Sequence, residues 1–331
     1  MILLLATPAG AAVRRDAVVR TESVGSARIS ASAEASRYPI DDGSGETVAI
    51  AVTAACAASC DAADPQQIAD FMGTLLHGHE MELVTVQLDT PGQIAFDCGY
   101  GAQSCYYPSE SKIVLSGEGA AAPDGASREF VLAHEYGHNI ASHRAIPPPF
   151  PAAIDWGTER WASYEHVCLG SRRGSLYPGN EGLHYFRDPG EAFAESYAHM
   201  RFPDAPVAWH WVRSLAPDAA AFKAIREDVL HPWTGRRALQ IRGRVPPRGE
   251  GAAVRAFETP LDGLVSLSPV GRRRYSLSLL NPAGRVLRSS RRGLSFRRRL
   301  NFTACGESSL RVALRSARPR GGAFALQIQR P

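Results

Sequence analysis

The stretch REFVLAHEYGHNIASH, residues 128–143, contains two histidines four positions apart, His134 and His138. On a helix, residues i and i+4 lie on the same face about one turn apart, so the two imidazoles can bind one metal ion. Glu135, beside the first histidine, can then reach a water molecule at that metal. The stretch therefore predicts a metal-binding helix.

The residues around this motif favour a half-buried helix. Ser127 is a suitable N-cap, and Glu129 falls in the first turn, where a carboxylate interacts favourably with the helix dipole. Apolar residues flank the motif at helical spacing. Upstream, Ile113–Leu115 is typical of a short strand. We expect a strand followed by the metal-binding helix.

A catalytic zinc ion usually has three protein ligands, so a third ligand must come from elsewhere in the chain. The metzincin pattern would place a histidine six residues after His138, but Arg144 occupies that position. The later stretch DPGEAFAESYAHM offers Glu191 and Glu195, which share a helix face. Asp188 can cap that helix, with a proline at its first position.

In these two motifs the chain resembles the gluzincin zinc peptidases. The resemblance implies that His134, His138 and Glu191 bind zinc, and that Glu195 orients a zinc-binding histidine without contacting the metal. Other acids that could replace Glu191 as ligand are Glu195, Glu181 and Asp188. His199, one turn after Glu195, is interpreted as a packing or surface residue.

The sequence EAFAESYA, preceded by HYFRDPG, most resembles the lethal-factor-like branch of that family. That branch has a tyrosine before the ligand glutamate that stabilises the oxyanion. Tyr185, six residues before Glu191, is the nearest match, and His184 and Tyr177 are alternatives. The resemblance covers roughly residues 113–230.

The function implied is that of a zinc-dependent endopeptidase acting on protein or peptide substrates, with Glu135 as general base and one Zn²⁺ as cofactor. An extended substrate could pair with the strand Ile113–Leu115 if that strand is a sheet edge. Two alternatives remain. The scaffold could be catalytically silent and act as an adhesive or binding module, or the enzyme could hydrolyse peptide cross-links of a cell wall.

The N-terminus and the cysteines favour export. Residues 1–12 resemble a signal peptide without a basic region, and residues 13–46 are typical of a flexible leader or pro-segment. None of the six cysteines forms a CxxC pair. The local pairs Cys56–Cys60 and Cys98–Cys105 are the first expectation, while Cys168 and Cys305 either pair or remain free. We expect a secreted protein with disulfides and no membrane-spanning segment.

Charge is distributed unevenly along the chain. Residues 236–331 contain 21 arginines and four acidic residues, an excess of 17 positive charges, whereas the whole chain carries only +4. This basic region could bind an anionic surface or polymer, or it could be a solvated β-surface. Nucleic-acid binding is the least favoured of these functions, because the arginine runs at 272–274 and 297–299 lack interleaved aromatic residues.

Periodicity predicts an α+β fold in two parts. Thr47–Ala54 and Glu82–Leu88 are predicted strands, and a helix is predicted from Asp64-Pro65 to Leu76. His77 and His79 are interpreted as solvated residues of a turn. Later helices are expected at Glu191–Met200, Val207–Leu215 and Asp218–Leu230, after a loop-rich stretch that begins near residue 146.

Alternating apolar residues after residue 235 predict about seven strands and a β-sandwich. That region resembles the pre-peptidase C-terminal domains of secreted bacterial peptidases. The predicted organisation is a signal-like segment (1–12), a leader (13–46), a zincin-like domain with a small mixed sheet (47–235) and a basic β-sandwich (236–331).

Overall fold

The computed structural model describes residues 34–61, 64–118, 125–205, 207–270, 275–290, 299–316 and 319–331, and the backbone of Arg14–Asp16. The signal-like segment, most of the predicted leader and the arginine positions 272–274 and 297–298 lie outside these residues. The described residues form a mixed α+β structure with two compact units. The first unit comprises the described residues up to His143 and Tyr177–Leu230, and the second comprises Arg144–Leu176 and His231–Pro331. Residues 144–176 thus group with the C-terminal strands.

Helices in the described residues are as follows: α1 (Ala54–Ser59), α2 (Pro65–Gly73), α3 (Pro91–Asp97), α4 (Arg128–Ser142), α5 (Ala153–Trp156), α6 (Glu159–Tyr164), α7 (Val167–Arg172), α8 (Pro189–Arg201) and α9 (Ala219–Leu230). Short 3₁₀ helices occur at His79–Leu83, Tyr185–Arg187 and Arg213–Leu215. The stretch between residues 146 and 189, expected to be rich in loops, therefore contains three short α-helices and one 3₁₀ helix.

A six-stranded mixed sheet is the framework of the first unit. Its strands are β1 (Arg14–Asp16), β2 (Ser36–Pro39), β3 (Thr47–Val52), β4 (Thr85–Asp89), β5 (Ser104–Tyr107) and β6 (Lys112–Ser116), and their order is β1-β5-β6-β4-β3-β2. Strands β3, β4 and β6 are parallel, and the other pairs are antiparallel.

Two expectations about this sheet are wrong. Strand β6 pairs with β4 on one side and β5 on the other, so it is not an edge that a substrate could extend. Its first four residues are all buried, which is typical of an interior strand. Residues 36–39, assigned to the flexible leader, form β2 and pair with β3.

The two helices predicted to carry the metal ligands form as expected. Ser127 Oγ accepts a hydrogen bond from the Phe130 backbone N–H at 3.1 Å and caps α4. Asp188 Oδ1 accepts one from Gly190 N–H at 2.9 Å and caps α8, with Pro189 at the first helical position. Each cap satisfies a backbone donor that has no partner within its helix, so each helix begins where the sequence predicts.

Helices α4 and α8 approach each other closely at Gly137. A Cβ atom on this glycine would lie 2.8 Å from Ala194 Cα and 3.2 Å from Ala194 O. Because these are backbone atoms, they cannot move aside as a flexible side chain would. The glycine inside the histidine motif is therefore what lets the backbones of the two helices touch.

The prediction of a helix at Val207–Leu215 is wrong for most of the segment. In the described part of this segment, only Arg213–Leu215 is helical, as a 3₁₀ turn. Aromatic and β-branched residues at 207, 209, 211 and 212 have low helix propensity. The rings of Trp209 and Trp211 pack against each other instead, with centroids 5.5 Å apart.

The second unit contains two four-stranded antiparallel sheets. Its strands are β7 (Arg237–Val245), β8 (Ala253–Glu258), β9 (Gly263–Pro269), β10 (Tyr275–Leu280), β11 (Val286–Ser289), β12 (Leu300–Ala304), β13 (Ser309–Ser316) and β14 (Gly322–Arg330). The sheet orders are β11-β10-β13-β8 and β12-β9-β14-β7. Inward-facing apolar residues of both sheets form one core, including Val265, Leu267, Leu326, Ile328, Leu277, Leu279, Val312 and Leu314.

All six cysteines are paired, as Cys56–Cys60, Cys98–Cys105 and Cys168–Cys305. The two local pairings predicted from the sequence are confirmed, and the remaining two cysteines pair with each other. Cys168 lies in α7 and Cys305 follows β12, so this disulfide joins the segment 144–176 to the strands of the same unit. Across the described residues, no helix is long and apolar enough to cross a membrane.

Substituting Gly137 with alanine tests the contact between α4 and α8. The added methyl group overlaps the Ala194 backbone, so Gly137→Ala should lower the free energy of unfolding by about 1–3 kcal/mol. Urea denaturation followed by tryptophan fluorescence measures this change. Gly92, on α3, is a matched control, because a Cβ atom added there would have no other atom within 4 Å. Gly92→Ala should be neutral or stabilising, and equal stability of the two variants would refute the contact.

Candidate metal centre

The predicted metal-binding side chains of α4 and α8 lie together in the first unit. His134 Nε2 lies 3.6 Å from Glu191 Oε2, and His138 Nε2 lies 3.4 Å from the same oxygen. One ligand atom from each of the three residues lies within 4.8 Å of the others. His138 and Glu191 are fully buried, and His134 is 5% exposed.

These distances suit a single metal ion. Ligand atoms that share a tetrahedral ion at about 2.0–2.2 Å lie about 3.3–3.6 Å apart. Both distances from Glu191 Oε2 fall within this range or at its limit. Two imidazoles and one carboxylate also form a common donor set for zinc. The three residues therefore fit a metal ion of this type.

Glu195 occupies the position predicted for a residue that orients a ligand. Its Oε2 lies 2.8 Å from His134 Nδ1. Because a carboxylate oxygen accepts the hydrogen bond, Nδ1 carries the proton and Nε2 is left to bind a metal. Burial acts to raise the pKa of Glu195, but hydrogen bonds from His134 and His199 outweigh it and hold this pKa below its usual value.

The predicted general base, Glu135, is fully buried. Ser104 Oγ, on β5, donates a hydrogen bond to Glu135 Oε1. This contact supplies a donor to one oxygen of the buried carboxylate. No motif pointed to Ser104, because it precedes Glu135 by 31 residues on a strand that the sequence pattern does not predict.

Tyr185 lies in a 3₁₀ turn just before α8 and is half-buried. Its ring centroid is 5.9 Å from that of Trp211, which in turn is 6.1 Å from that of His134. Aromatic packing thus places Tyr185 one side chain away from a ligand histidine. The alternatives Tyr177 and His184 stack on each other at 3.7 Å.

The other acids considered as ligands have different roles or positions. Asp188 Oδ1 accepts hydrogen bonds from the backbone N–H groups of Gly190 and Gly179, so it caps α8. Glu195 contacts histidine nitrogens, as described above. Within the described residues, Glu181 belongs to no group with metal-ligand spacing.

Two further groups of residues have metal-ligand spacing in the described parts of the chain. In the second unit, Cys168 and Cys305 lie near Asp262, but both cysteines are in a disulfide. Burial raises the pKa of Asp262 to about 6. In the first unit, His77 contacts Asp42 at 3.2 Å and Glu46 at 3.3 Å.

The interpretation of His77 as a solvated residue is wrong, because its side chain is only 12% exposed and both ring nitrogens face carboxylates. Its carboxylate partners come from the loop after β2, a contact that local sequence cannot indicate. His79, in contrast, is 77% exposed as expected.

Comparison with known proteins identifies no family. No protein-family model matches the chain, and no curated protein matches it. Among solved structures, a Yersinia pseudotuberculosis-derived mitogen shares 13% identity over 29% of this chain and 87% of that chain, with a TM-score of 0.21. Bacillus endospore appendages that form disulfide-linked pili share 9% identity over 29% and 85%, with a TM-score of 0.18.

A larger part of the chain aligns with a GH115 4-O-methyl-alpha-glucuronidase, with 11% identity over 62% of this chain and 38% of that chain and a TM-score of 0.20. This chain therefore spans well under half of that protein. Similarity at these scores supports no inference about fold or activity, so the function must be argued from the residues.

Metal content distinguishes the group formed by His134, His138 and Glu191 from the group formed by Asp42, Glu46 and His77. Zinc bound to wild-type protein after dialysis should amount to one ion per chain, measured by atomic emission. Glu191→Ala should lose it, because only two ligands remain. His77→Ala should retain it, since His77 belongs to the other group in the first unit. Zinc retained by Glu191→Ala would exclude this ligand set.

Proposed function

We propose that the chain is a secreted zinc-dependent endopeptidase of the gluzincin type. The observation that carries the proposal is that His134 Nε2 and His138 Nε2 lie 3.6 Å and 3.4 Å from Glu191 Oε2, with Glu135 next to the first of these residues in the chain. In this proposal the first unit is a zincin-like catalytic domain. The two sheets of the second unit form a β-sandwich of the pre-peptidase C-terminal type.

The reaction proposed is hydrolysis of a peptide bond. A zinc ion held by the three ligands would polarise the scissile carbonyl and lower the pKa of an attacking water. Glu135 accepts a proton from that water as the water oxygen attacks the carbonyl carbon. The same carboxyl group then delivers the proton to the leaving amine nitrogen as the C–N bond breaks.

Neighbouring residues support these steps. Ser104 donates a hydrogen bond to Glu135 Oε1, which leaves Oε2 as the oxygen proposed to accept the proton. Glu195 keeps His134 in the tautomer that a metal ligand requires. Tyr185 is proposed to donate a hydrogen bond to the oxyanion, and its packing through Trp211 towards His134 supports that role.

Disulfide content and charge support the proposed location and partners. Three disulfides favour an oxidising, extracellular compartment. The excess of 17 positive charges in residues 236–331 suits attachment to an anionic polymer or surface, such as a cell wall. A cell-wall peptide cross-link is therefore the second candidate substrate.

Replacing Glu135 with glutamine tests the mechanism. The amide cannot accept the proton of the water, so Glu135→Gln should reduce kcat by about 10²–10⁴-fold while zinc content stays at the wild-type level. Cleavage is measured with fluorescein-labelled casein and with a degenerate peptide library analysed by mass spectrometry. Purified peptidoglycan fragments provide the probe for the second substrate.

The control for Glu135→Gln is Glu129→Gln, in the first turn of the same helix. This variant should retain wild-type cleavage, because Glu129 contacts Arg128 in the first turn of α4 and belongs to no group with metal-ligand spacing among the described residues. Full activity in Glu135→Gln would exclude the mechanism. A zinc-loaded wild-type protein that cleaves none of the three substrates would instead favour the binding-module alternative.

A further inference from the structure

A second histidine contacts the carboxylate that orients His134. His199 Nε2 lies 3.5 Å from Glu195 Oε1, while the other oxygen of Glu195 lies 2.8 Å from His134 Nδ1. Glu195 is only 3% exposed. Each of its two carboxylate oxygens faces one histidine. The sequence interpretation of His199 as a packing or surface residue omits this contact.

The three residues Glu191, Glu195 and His199 follow one another at intervals of four along α8. Side chains at this spacing lie on one face of a helix, so the ligand, its neighbour and His199 form a continuous row. The row begins at the metal centre and ends in the last turn of the helix. A histidine near a helix C-terminus also interacts favourably with the helix dipole.

Packing fixes the ring of His199. It contacts Phe130 edge-on, with centroids 5.3 Å apart and an interplanar angle of 79°. On another side, the ring of Trp209 lies 6.3 Å away. The side chain is only 14% exposed, so the imidazole has little freedom to turn away from Glu195.

A carboxylate held by one hydrogen bond can still rotate, because the terminal torsion of glutamate has broad and shallow minima. A second donor on the other oxygen defines the plane of the group. Residues that orient metal ligands in this way commonly change metal affinity by about 10–100-fold when they are removed.

We propose that His199 is a positioning residue for the metal centre. In this proposal the Nε2–H group of His199 faces Glu195 Oε1 across 3.5 Å, and this contact holds Glu195 Oε2 in line with Nδ1–H of His134. His134 is thereby kept with Nε2 directed at the metal. This inference rests on the zinc site of the proposed function and adds a residue to it.

Zinc affinity tests the proposal without requiring peptidase activity. His199→Phe keeps an aromatic ring against Phe130 but removes the donor, and should weaken zinc binding by about tenfold in chelator competition. His199→Gln retains a donor near the position of Nε2 and should restore most of the affinity. His79→Leu is the control, because His79 is 77% exposed in the same unit.

A double-mutant cycle separates positioning from a general loss of stability. If His199 acts through Glu195, then His199→Phe should cause no further loss of zinc affinity in a Glu195→Ala background. Equal losses in both backgrounds would overturn the proposal. Wild-type zinc affinity in His199→Phe would also overturn the proposal for His199. That result would leave the proposed zinc site unaffected.

Absence of zinc from wild-type protein would overturn both the proposed function and this inference. A further readout covers the case in which His199→Phe does not fold. In zinc-loaded wild-type protein, ¹⁵N NMR of the histidine rings should show a proton on Nε2 of His199. An unprotonated Nε2 cannot donate to Glu195 and would overturn the proposal.

Discussion

The close contact between α4 and α8 at Gly137 and Ala194 is the constraint on which the rest of the site depends. Both histidines of the candidate metal centre lie on α4, and its glutamate, Glu191, lies on α8. The separation of the two backbones therefore sets the distance between the imidazoles and the carboxylate. Gly137 lies between the two histidines in sequence, so the motif that supplies the ligands also supplies the space for the second helix.

The same contact gathers charged groups that are costly to bury. Glu135, Glu191 and Glu195 share this region with His134 and His138, and none of the five is more than 5% exposed. Burial of ionised groups is unfavourable unless they are paired or coordinate a metal. A divalent cation would offset much of this negative charge, and the contacts from Ser104 and the histidines offset part of the rest. The arrangement favours a metal site over a structural core.

The sequence predicts those parts of the structure that depend on local spacing and capping. Both ligand-bearing helices begin at their expected caps, Ser127 and Asp188, and the two local disulfides follow from short separations. The histidine pair follows from the four-residue spacing, whereas the choice of Glu191 as third ligand follows from the resemblance to the gluzincins.

Features that depend on distant parts of the chain were not predicted. The interior position of β6 requires β5 and β4 on either side, and neither neighbour is specified by the residues of β6 itself. Ser104 reaches Glu135 only because β5 lies beside β6. Residues 207–212 form no helix, and the rings of Trp209 and Trp211 pack together there, which outweighs the apparent helical periodicity. His199 is an exception, since its spacing from Glu195 was visible and its contact could have been anticipated.

Anomalous diffraction at the zinc edge, from crystals of the zinc-loaded protein, tests the central claim most directly. The account predicts one peak in the first unit, about 2.0–2.2 Å from His134 Nε2, His138 Nε2 and Glu191 Oε2. A peak coordinated by Glu195 in place of Glu191, or one located only at Asp42, Glu46 and His77, would contradict it.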